Sequence, residues 1–268
     1  MRKFGINVDC LHLSFEYELN TLKLIKDAGF NGVFTCTYTT PEVQKLKTRA
    51  DELGLEFYFL HAPWKNINSM WIDGDDYLEI YNKIKTTIDS ASVCGIKIVI
   101  LHGSSTYNPP KFNSLGFARF DELVYYAKEK SVKIAFENLR TDFTIYEILE
   151  HYKNEDYVGF CYDCGHEFCF TGGKSLYLPK LADKTIATHI HDNFGKDFIG
   201  KNKEEDLHYL PFDGTLDFNT VMKDFKSVNK NVPLTLEINY NSKKEYSKLS
   251  PAEFIEIAYE RIQKINNL

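Results

Sequence analysis

Short, almost continuously apolar runs recur along the chain, each followed by a stretch in which apolar residues return every three or four positions. The runs span residues 3–8, 32–36, 56–61, 97–102, 133–137, 158–163, 187–191 and 234–237. Ile98-Val99-Ile100-Leu101 shows no polar alternation, the pattern of parallel strands covered on both faces rather than of strands with one wet face. The intervening stretches carry helical spacing. Leu22, Leu24, Ile25 and Ala28 precede Gly29, and Leu78, Ile80, Tyr81, Ile84, Ile88 and Ala91 precede Gly95. Ser250 and Pro251 open the last such stretch, with Phe254, Ile255, Ile257, Ala258 and Ile262 on one face, a start signal joined to an amphipathic run. Only residues 175–182, interrupted by Pro179, give a weak helix. Eight strands in 268 residues leave about 33 residues for each βα unit. The pattern predicts an α/β chain folded as a single (β/α)8 barrel over residues 1–268, with an open doubly wound sheet as its competitor.

Composition agrees with a globular chain: 43% apolar and 26% charged residues can bury a large core. No apolar run approaches the eighteen or so residues a membrane span needs, and the N-terminal residues read as a first strand rather than a signal peptide. The expectation is a soluble cytoplasmic protein. Net charge is −6 without a lysine or arginine block, so nucleic acid is a disfavoured partner, although a local positive rim can coexist with an acidic body. Oligomeric state is left open. The six cysteines, Cys10, Cys36, Cys94, Cys161, Cys164 and Cys169, form no disulfide framework, and Cys161-x-x-Cys164 lacks the second pair a structural zinc site needs.

The chemistry collects where the strands end. Strand three closes in His61, strand four in His102, strand five in Glu137 and strand six in Asp163 with His166 three residues on. Strand seven closes in His189-Ile190-His191-Asp192-Asn193 and strand eight in Glu237. Taken singly, such a residue is more often a hydrogen-bonded or solvated rim group. Six consecutive strands with an imidazole or carboxylate at one barrel mouth are different, because gathering these groups is costly unless they pair or hold a cation. His189 and His191, two apart, share a side, and periodicity does not choose between them. Asp206 and His208 form a further acid–imidazole pair in a loop, balanced between ligand and surface. His12 and His151 fall outside these clusters and read as structural or exposed. Lys196, Lys201 and Lys203 read as a solvated loop before they read as a phosphate site.

These motifs resemble the xylose isomerase-like TIM barrels, a family that includes sugar isomerases, sugar epimerases and endonuclease IV. The resemblance runs from strand one to strand eight and rests on His61-Ala62-Pro63, Glu137-Asn138, Asp163-Cys164-Gly165-His166, His189-Ile190-His191-Asp192-Asn193, the Asp206 to Gly214 stretch and Glu237. It implies a four-ligand metal site of Glu137, Asp163, His189 and Glu237, with His191 as an alternative to His189 and His166 touching the sugar. The nine ligand positions for three zinc ions in endonuclease IV are also filled: His61, His102, Glu137, Asp163, His166, His189, Asp206, His208 and Glu237. The chain departs from that enzyme after strand two, where it reads Thr35-Cys36-Thr37-Tyr38, and after Glu137-Asn138, where it reads Leu139-Arg140-Thr141-Asp142. Leu210-Pro211-Phe212-Asp213-Gly214 looks closer to the isomerase and epimerase members.

The resulting expectation is a metal-dependent sugar or sugar phosphate isomerase/epimerase, moving a proton through a metal-stabilised enediolate. Glu137 and Glu237 are its catalytic pair, His166, Trp64 and His191 its substrate contacts, and Trp64, Trp71 or Tyr107 its apolar wall. The alternatives are a multi-zinc phosphodiesterase acting on abasic DNA and a non-catalytic barrel that holds metal and a polyol. Mixed imidazole and carboxylate donors favour zinc or manganese over calcium, in one to three copies, zinc if three and manganese if one.

Overall fold

The computed structural model describes residues 2–139, 143–195 and 206–268; Lys196, Lys201 and Lys203 lie outside them. Eight parallel strands run in the order β7-β6-β5-β4-β3-β2-β1-β8. They are β1 (Phe4–Asn7), β2 (Gly32–Thr35), β3 (Glu56–His61), β4 (Ile98–Leu101), β5 (Lys133–Glu137), β6 (Val158–Asp163), β7 (Thr185–His189) and β8 (Leu234–Leu236). The ring closes just beyond β7. Ile190 N–H donates to the Thr235 carbonyl at 2.8 Å and Glu237 N–H donates to the Ile190 carbonyl at 3.1 Å. The closed barrel therefore replaces the open sheet as the architecture.

Helices α1 (Phe15–Ala28), α2 (Thr40–Glu52), α3 (Leu78–Val93), α4 (Ser114–Glu129) and α5 (Phe143–His151) follow the first five strands. The sixth crossover holds two short helices, α6 (Cys164–Thr171) and α7 (Leu178–Leu181), and the last crossovers hold α8 (Phe218–Phe225) and α9 (Pro251–Asn266). The sequence pattern does not announce α6, because it begins with no intervening loop. Asp163 ends β6 and at once caps the helix, its Oδ1 accepting from His166 N–H at 2.7 Å, as N-cap carboxylates do. Pro179 stands in the first turn of α7, where its missing N–H costs nothing. At α9 the expected start signal is a full capping box between Ser250 and Glu253.

Strand periodicity divides the core in two. Phe34, Phe59, Ile100, Ala135, Cys161 and Ala187 point inward and fill the barrel, while alternate residues such as Leu60, Val99, Leu101, Phe136 and Phe160 meet the helices. All six strand runs behind these inward residues are covered on both faces, which is why they read as continuous apolar sequence.

Trp71 belongs to the outer layer, which corrects its expected place in a sugar wall. Its ring is 3% exposed, stacks on Phe112 at 3.8 Å and donates its indole N–H to the Gly103 carbonyl at 2.7 Å. The loop that carries it is organised by Arg119 of α4. That guanidinium donates to the carbonyls of Ser69, Met70, Ile72 and Gly74 at 2.8–3.2 Å and lies 3.5 Å over the Tyr77 ring. Arg119→Met leaves those carbonyls without their donor, and is expected to lower unfolding stability by about 3 kcal/mol, read from urea denaturation.

Glu18 on α1 gives a pH signature of its own. Burial, with the charge of Asp9 second, raises its carboxyl from 4.5 to about 7. The folded value exceeds the unfolded one, so its contribution is full below about pH 4.5 and is lost as pH rises toward 7. Glu18→Gln is expected to match the parent near pH 4.5 and exceed its stability at pH 8 by about 1 kcal/mol, the value left after solvent screening. Thermal melts at the two pH values check this.

Candidate metal centre

Each inward residue of β3 to β7 is followed two positions later by a side chain that can bind metal: Phe59 by His61, Ile100 by His102, Ala135 by Glu137, Cys161 by Asp163 and Ala187 by His189. Side chains two apart share a strand face, so these donors form the next layer above the apolar plug, at the carboxyl ends of the strands. Glu237 follows Thr235 of β8 in the same way.

Glu137, 3% exposed, stands in the middle. Its Oε2 lies 3.1 Å from His61 Nε2 and 3.0 Å from His102 Nε2. Its Oε1 lies 3.0 Å from His189 Nδ1 and 3.3 Å from His166 Nδ1. His189 Nδ1 is also 3.3 Å from Glu237 Oε2 and 3.8 Å from Asp163 Oδ2. A second knot surrounds Asp206. Its Oδ2 is 2.9 Å from His166 Nε2, and its Oδ1 is 3.3 Å from His208 Nε2 and 3.7 Å from His191 Nε2. The loop pair thus turns inward rather than toward solvent.

Main-chain carbonyls set the orientation of three rings. His61 donates Nδ1–H to Ala62 at 2.9 Å, His166 to Asn138 at 3.0 Å and His208 to Glu237 at 2.9 Å. A carbonyl only accepts, so Nδ1 carries the hydrogen and the neutral ring turns its Nε2 lone pair inward. A lone pair about 3 Å from a carboxylate oxygen is repulsive unless a proton or a cation stands between them.

With protons in that place, the groups polarise one another. Burial opposes every charge here, and opposite charges overcome it. His189, with His102 and His166 hydrogen bonds, holds Glu137 well below the usual carboxylate range, and His208 and His166 do the same for Asp206. His166 and His191 lower Asp163. Against the same burial, Asp163 and Asp206 hold His166 well above its ordinary value, and Asp206 pushes His208 up to about 10. At His102 burial dominates, and the ring falls below its ordinary value.

The donors fit divalent metal. Four groups, His61/His102/Glu137, His61/His189/Glu237, Glu137/Asp163/His189/Glu237 and His166/His191/Asp206/His208, each hold ligand atoms within 4.8 Å of one another. Asp163 Oδ2 and Asp206 Oδ1 are buried without a hydrogen-bond partner, an arrangement that is costly in a protein interior unless something else satisfies them. Imidazole with carboxylate suits zinc, manganese, cobalt or iron better than calcium.

A family model described as Xylose isomerase-like TIM barrel matches residues 22–258. The chain belongs to the xylose isomerase-like TIM barrels. Among solved members of this fold, the IOLI protein with a bound zinc atom is 21% identical, with a TM-score of 0.73 over 98% of this chain and 97% of that one. L-ribulose 3-epimerase is 17% identical, with a TM-score of 0.74 over 100% and 95% of the two chains. In sequence, an uncharacterised protein y4fM of Sinorhizobium fredii is 34% identical over 166 residues, 58% of this chain and 51% of that protein. The match thus spans about half the length of that curated relative.

All ten sequence-predicted donors of this family member come together, but not in the expected roles. A cavity of about 450 Å³ opens over the centre, lined by His61, Trp64, His102, Glu137, His166, Asp206, His208 and Glu237, with Lys65, Asn66, Ser105 and Thr106 on its wall. Trp64, 43% exposed, stands 5.1 Å from His61 and 5.3 Å from His102 between ring centres. His191 is fully buried and does not line the cavity, which corrects its expected place against substrate. Tyr107 likewise is not among the lining residues. His12 is exposed, and His151 pairs with Asp121 at 2.8 Å, both away from the centre. Cys161 faces into the barrel and Cys164 contacts the His191 carbonyl at 3.6 Å; both are free, and burial raises both thiols.

Sequence reasoning missed the supports. Asn138 clamps β5 to β6, accepting from Asp163 N–H and donating to the Asp163 carbonyl, both at 2.8 Å. Asp192 accepts from the amides of Asn193, Gly214 and Leu216 at 2.8–3.0 Å. A Cβ at Gly214 would overlap the Asn193 carbonyl, so this approach needs glycine. Both acidic and amide residues were visible as neighbours of ligands in the motifs, but their partners are not local in sequence. Among the described residues, no helix is long and apolar enough to cross a membrane.

Proposed function

We propose that this chain is a divalent-metal-dependent isomerase or epimerase of a sugar or sugar phosphate. The observation that carries the reading is the pair of carboxylates, Glu137 and Glu237, approaching the same His189 Nδ1 at 3.0 and 3.3 Å from strands three places apart on the rim, with both lining the cavity. The cavity volume lies within the usual range for small-molecule sites of about 300–1,000 Å³. Sugar epimerases among the solved structures of the same fold support the reading.

Glu137, Asp163, His189 and Glu237 would hold the ion. A bound divalent ion supplies Lewis-acid stabilisation of charge on neighbouring substrate oxygens. Glu237, with a side chain 14% exposed, is the carboxylate placed to take a proton from a C–H beside a carbonyl. Glu137 is held ionised by the imidazoles on both its oxygens and is the weaker proton acceptor. His166 Nε2 and Asp206 meet the cavity where a substrate hydroxyl needs a partner, Trp64 offers an apolar face, and Lys65 a positive charge for a phosphorylated sugar.

One observation favours a second reading, hydrolysis of a phosphate ester or diester. The His61/His102/Glu137 and His166/His191/Asp206/His208 groups add donors to the central four, and clustered ions can stabilise both attacking and leaving oxygens. Metal counting combined with assays on ketoses, aldoses and their phosphates, and on abasic-site DNA, separates the two. Deuterium uptake from solvent at a sugar carbon supports the first. Phosphoester cleavage without such uptake supports the second. Metal retention with neither activity leaves the non-catalytic barrel.

A further inference from the structure

We propose that the amino-terminal end of the barrel holds a second ligand site, for a small organic anion with an apolar body, seated between Lys97, Lys133 and Lys230 against Tyr58. The inference does not depend on the reaction assigned above.

The layer below the apolar plug is short of side chains. Two positions before the inward residues Phe34, Ile100, Ala135, Cys161 and Ala187 stand Gly32, Ile98, Lys133, Gly159 and Thr185, on the same strand faces. Barrels are ordinarily filled by layers of bulky side chains, and the glycines in this one leave room. β3 departs from the period, because its pairing with β2 skips Tyr58 between Phe57 and Phe59. Such a bulge re-aims a side chain. Here it lays the Tyr58 ring across Gly5 and Gly32, where any Cβ would overlap it, and Ile186 covers Gly159 in the same way. A cavity of about 640 Å³ remains, within the usual range for small-molecule sites of about 300–1,000 Å³.

Its walls set the chemistry. Phe59, Ile98, Ile186 and Pro233 give apolar surface. Lys3, Lys97, Lys133 and Lys230 face only two acids, Glu56 and Asp183, a positive balance on a chain of net charge −6. Lys3 is paired with Glu56. Lys97 and Lys133 are neighbours, joined by the hydrogen bond from Lys133 N–H to the Lys97 carbonyl at 2.8 Å. Among the described residues, neither they nor Lys230 form an ion pair. Neighbouring like charges repel, and an anion between them turns that repulsion into attraction.

The Tyr58 hydroxyl is the second pointer to a ligand. Its oxygen is buried without a hydrogen-bond partner, which is costly for a donor in a protein interior. Burial, and then the Glu56 charge, raises the phenol above its ordinary value, so it keeps its proton and can donate to an anionic oxygen. Phe59 lines the cavity and also packs on His189, ring centres 5.6 Å apart. One side chain of the plug thus separates this site from the metal centre, and the two are expected to load independently.

The test is equilibrium dialysis of the full chain, metal-free and zinc-loaded, against benzoate, phenyl phosphate, inorganic phosphate, benzyl alcohol and benzylamine. Benzoate or phenyl phosphate is expected to bind with and without zinc, the tighter of the two telling a carboxylate head from a phosphate ester. Inorganic phosphate, which lacks the apolar body, and the neutral and cationic probes are expected to bind at least about tenfold more weakly. The variants are Tyr58→Phe and the double change Lys97→Gln with Lys133→Gln, both checked by circular dichroism. Each is expected to lose about tenfold or more in affinity, the range for a hydrogen bond to a charged group, with zinc content equal to the parent's. Absence of binding by both aryl anions at millimolar concentration, or unchanged affinity in the double lysine variant, would overturn the site. Equal binding of inorganic phosphate or of benzyl alcohol would do the same, leaving a charged patch or an apolar hollow. Binding that requires zinc would place the anion on the metal at the opposite mouth. Unchanged affinity in Tyr58→Phe would remove the hydroxyl from the site, and if that variant does not fold, the exposed lysines decide.

Discussion

Glu237→Gln is expected to lower kcat for sugar interconversion by about 10²–10⁴-fold, the usual contribution of a positioned general base, with the fold intact. The amide keeps an oxygen that can face the ion but cannot accept the proton. At the cavity surface, the Glu237 carboxylate lies 3.3 Å from His189 Nδ1 and 3.7 Å from His208 Nδ1. Glu137, by contrast, has four imidazole nitrogens within 3.3 Å. Replacing Glu137 by Gln is therefore expected to abolish turnover by a different route, through loss of metal as well as of charge. Proton NMR in deuterium oxide, following exchange at the sugar carbon, reads the first effect directly. Full activity in Glu237→Gln would refute the assignment of the base.

Asp163→Asn is expected to weaken metal retention by more than about 100-fold, beyond the range for losing an outer-shell partner, while the fold survives. Asp163 does two jobs with its two oxygens. Oδ1 caps α6 through His166 N–H at 2.7 Å, and Oδ2 is buried, unpartnered and 3.8 Å from His189 Nδ1. Asparagine preserves the cap, since it ranks with aspartate there, but removes the charge facing the ion. Metal should accordingly raise the melting temperature of the parent more than that of the variant at the same metal concentration. A ligand held at one hundred times its Kd adds about 2.7 kcal/mol per site, an effect plain in a melt. Equal metal content and equal melting shifts in the two proteins would place the ion away from Asp163.

Much of this centre was legible because a parallel barrel makes two simple patterns coincide. Continuous apolar strands mark burial on both faces, and the inward row of each strand runs straight up into the mouth, so that His61, His102, Glu137, Asp163 and His189 each sit one step beyond a packed inward residue. The same period left His189 and His191 equivalent in sequence. The structure separates them because β7 proper ends at His189 and the chain then bridges to β8 through Ile190, which carries His191 over Gly165 and toward Asp206. Trp71 looked like a pocket aromatic only while its partners were unknown; Phe112 and Gly103 claim it from more than thirty residues away. The Arg119 contacts to a loop 45–50 residues earlier are of the same kind. No local periodicity records them. Helix α6 escaped notice because a single residue, Asp163, is at once strand end, helix cap and proposed ligand.

Anomalous diffraction from crystals of the metal-loaded chain, collected on both sides of the absorption edge of the metal, addresses the main claim most directly. The expected map has a peak bounded by Glu137, Asp163, His189 and Glu237. A map with no peak among those four side chains, in protein shown by elemental analysis to carry the metal, would contradict it.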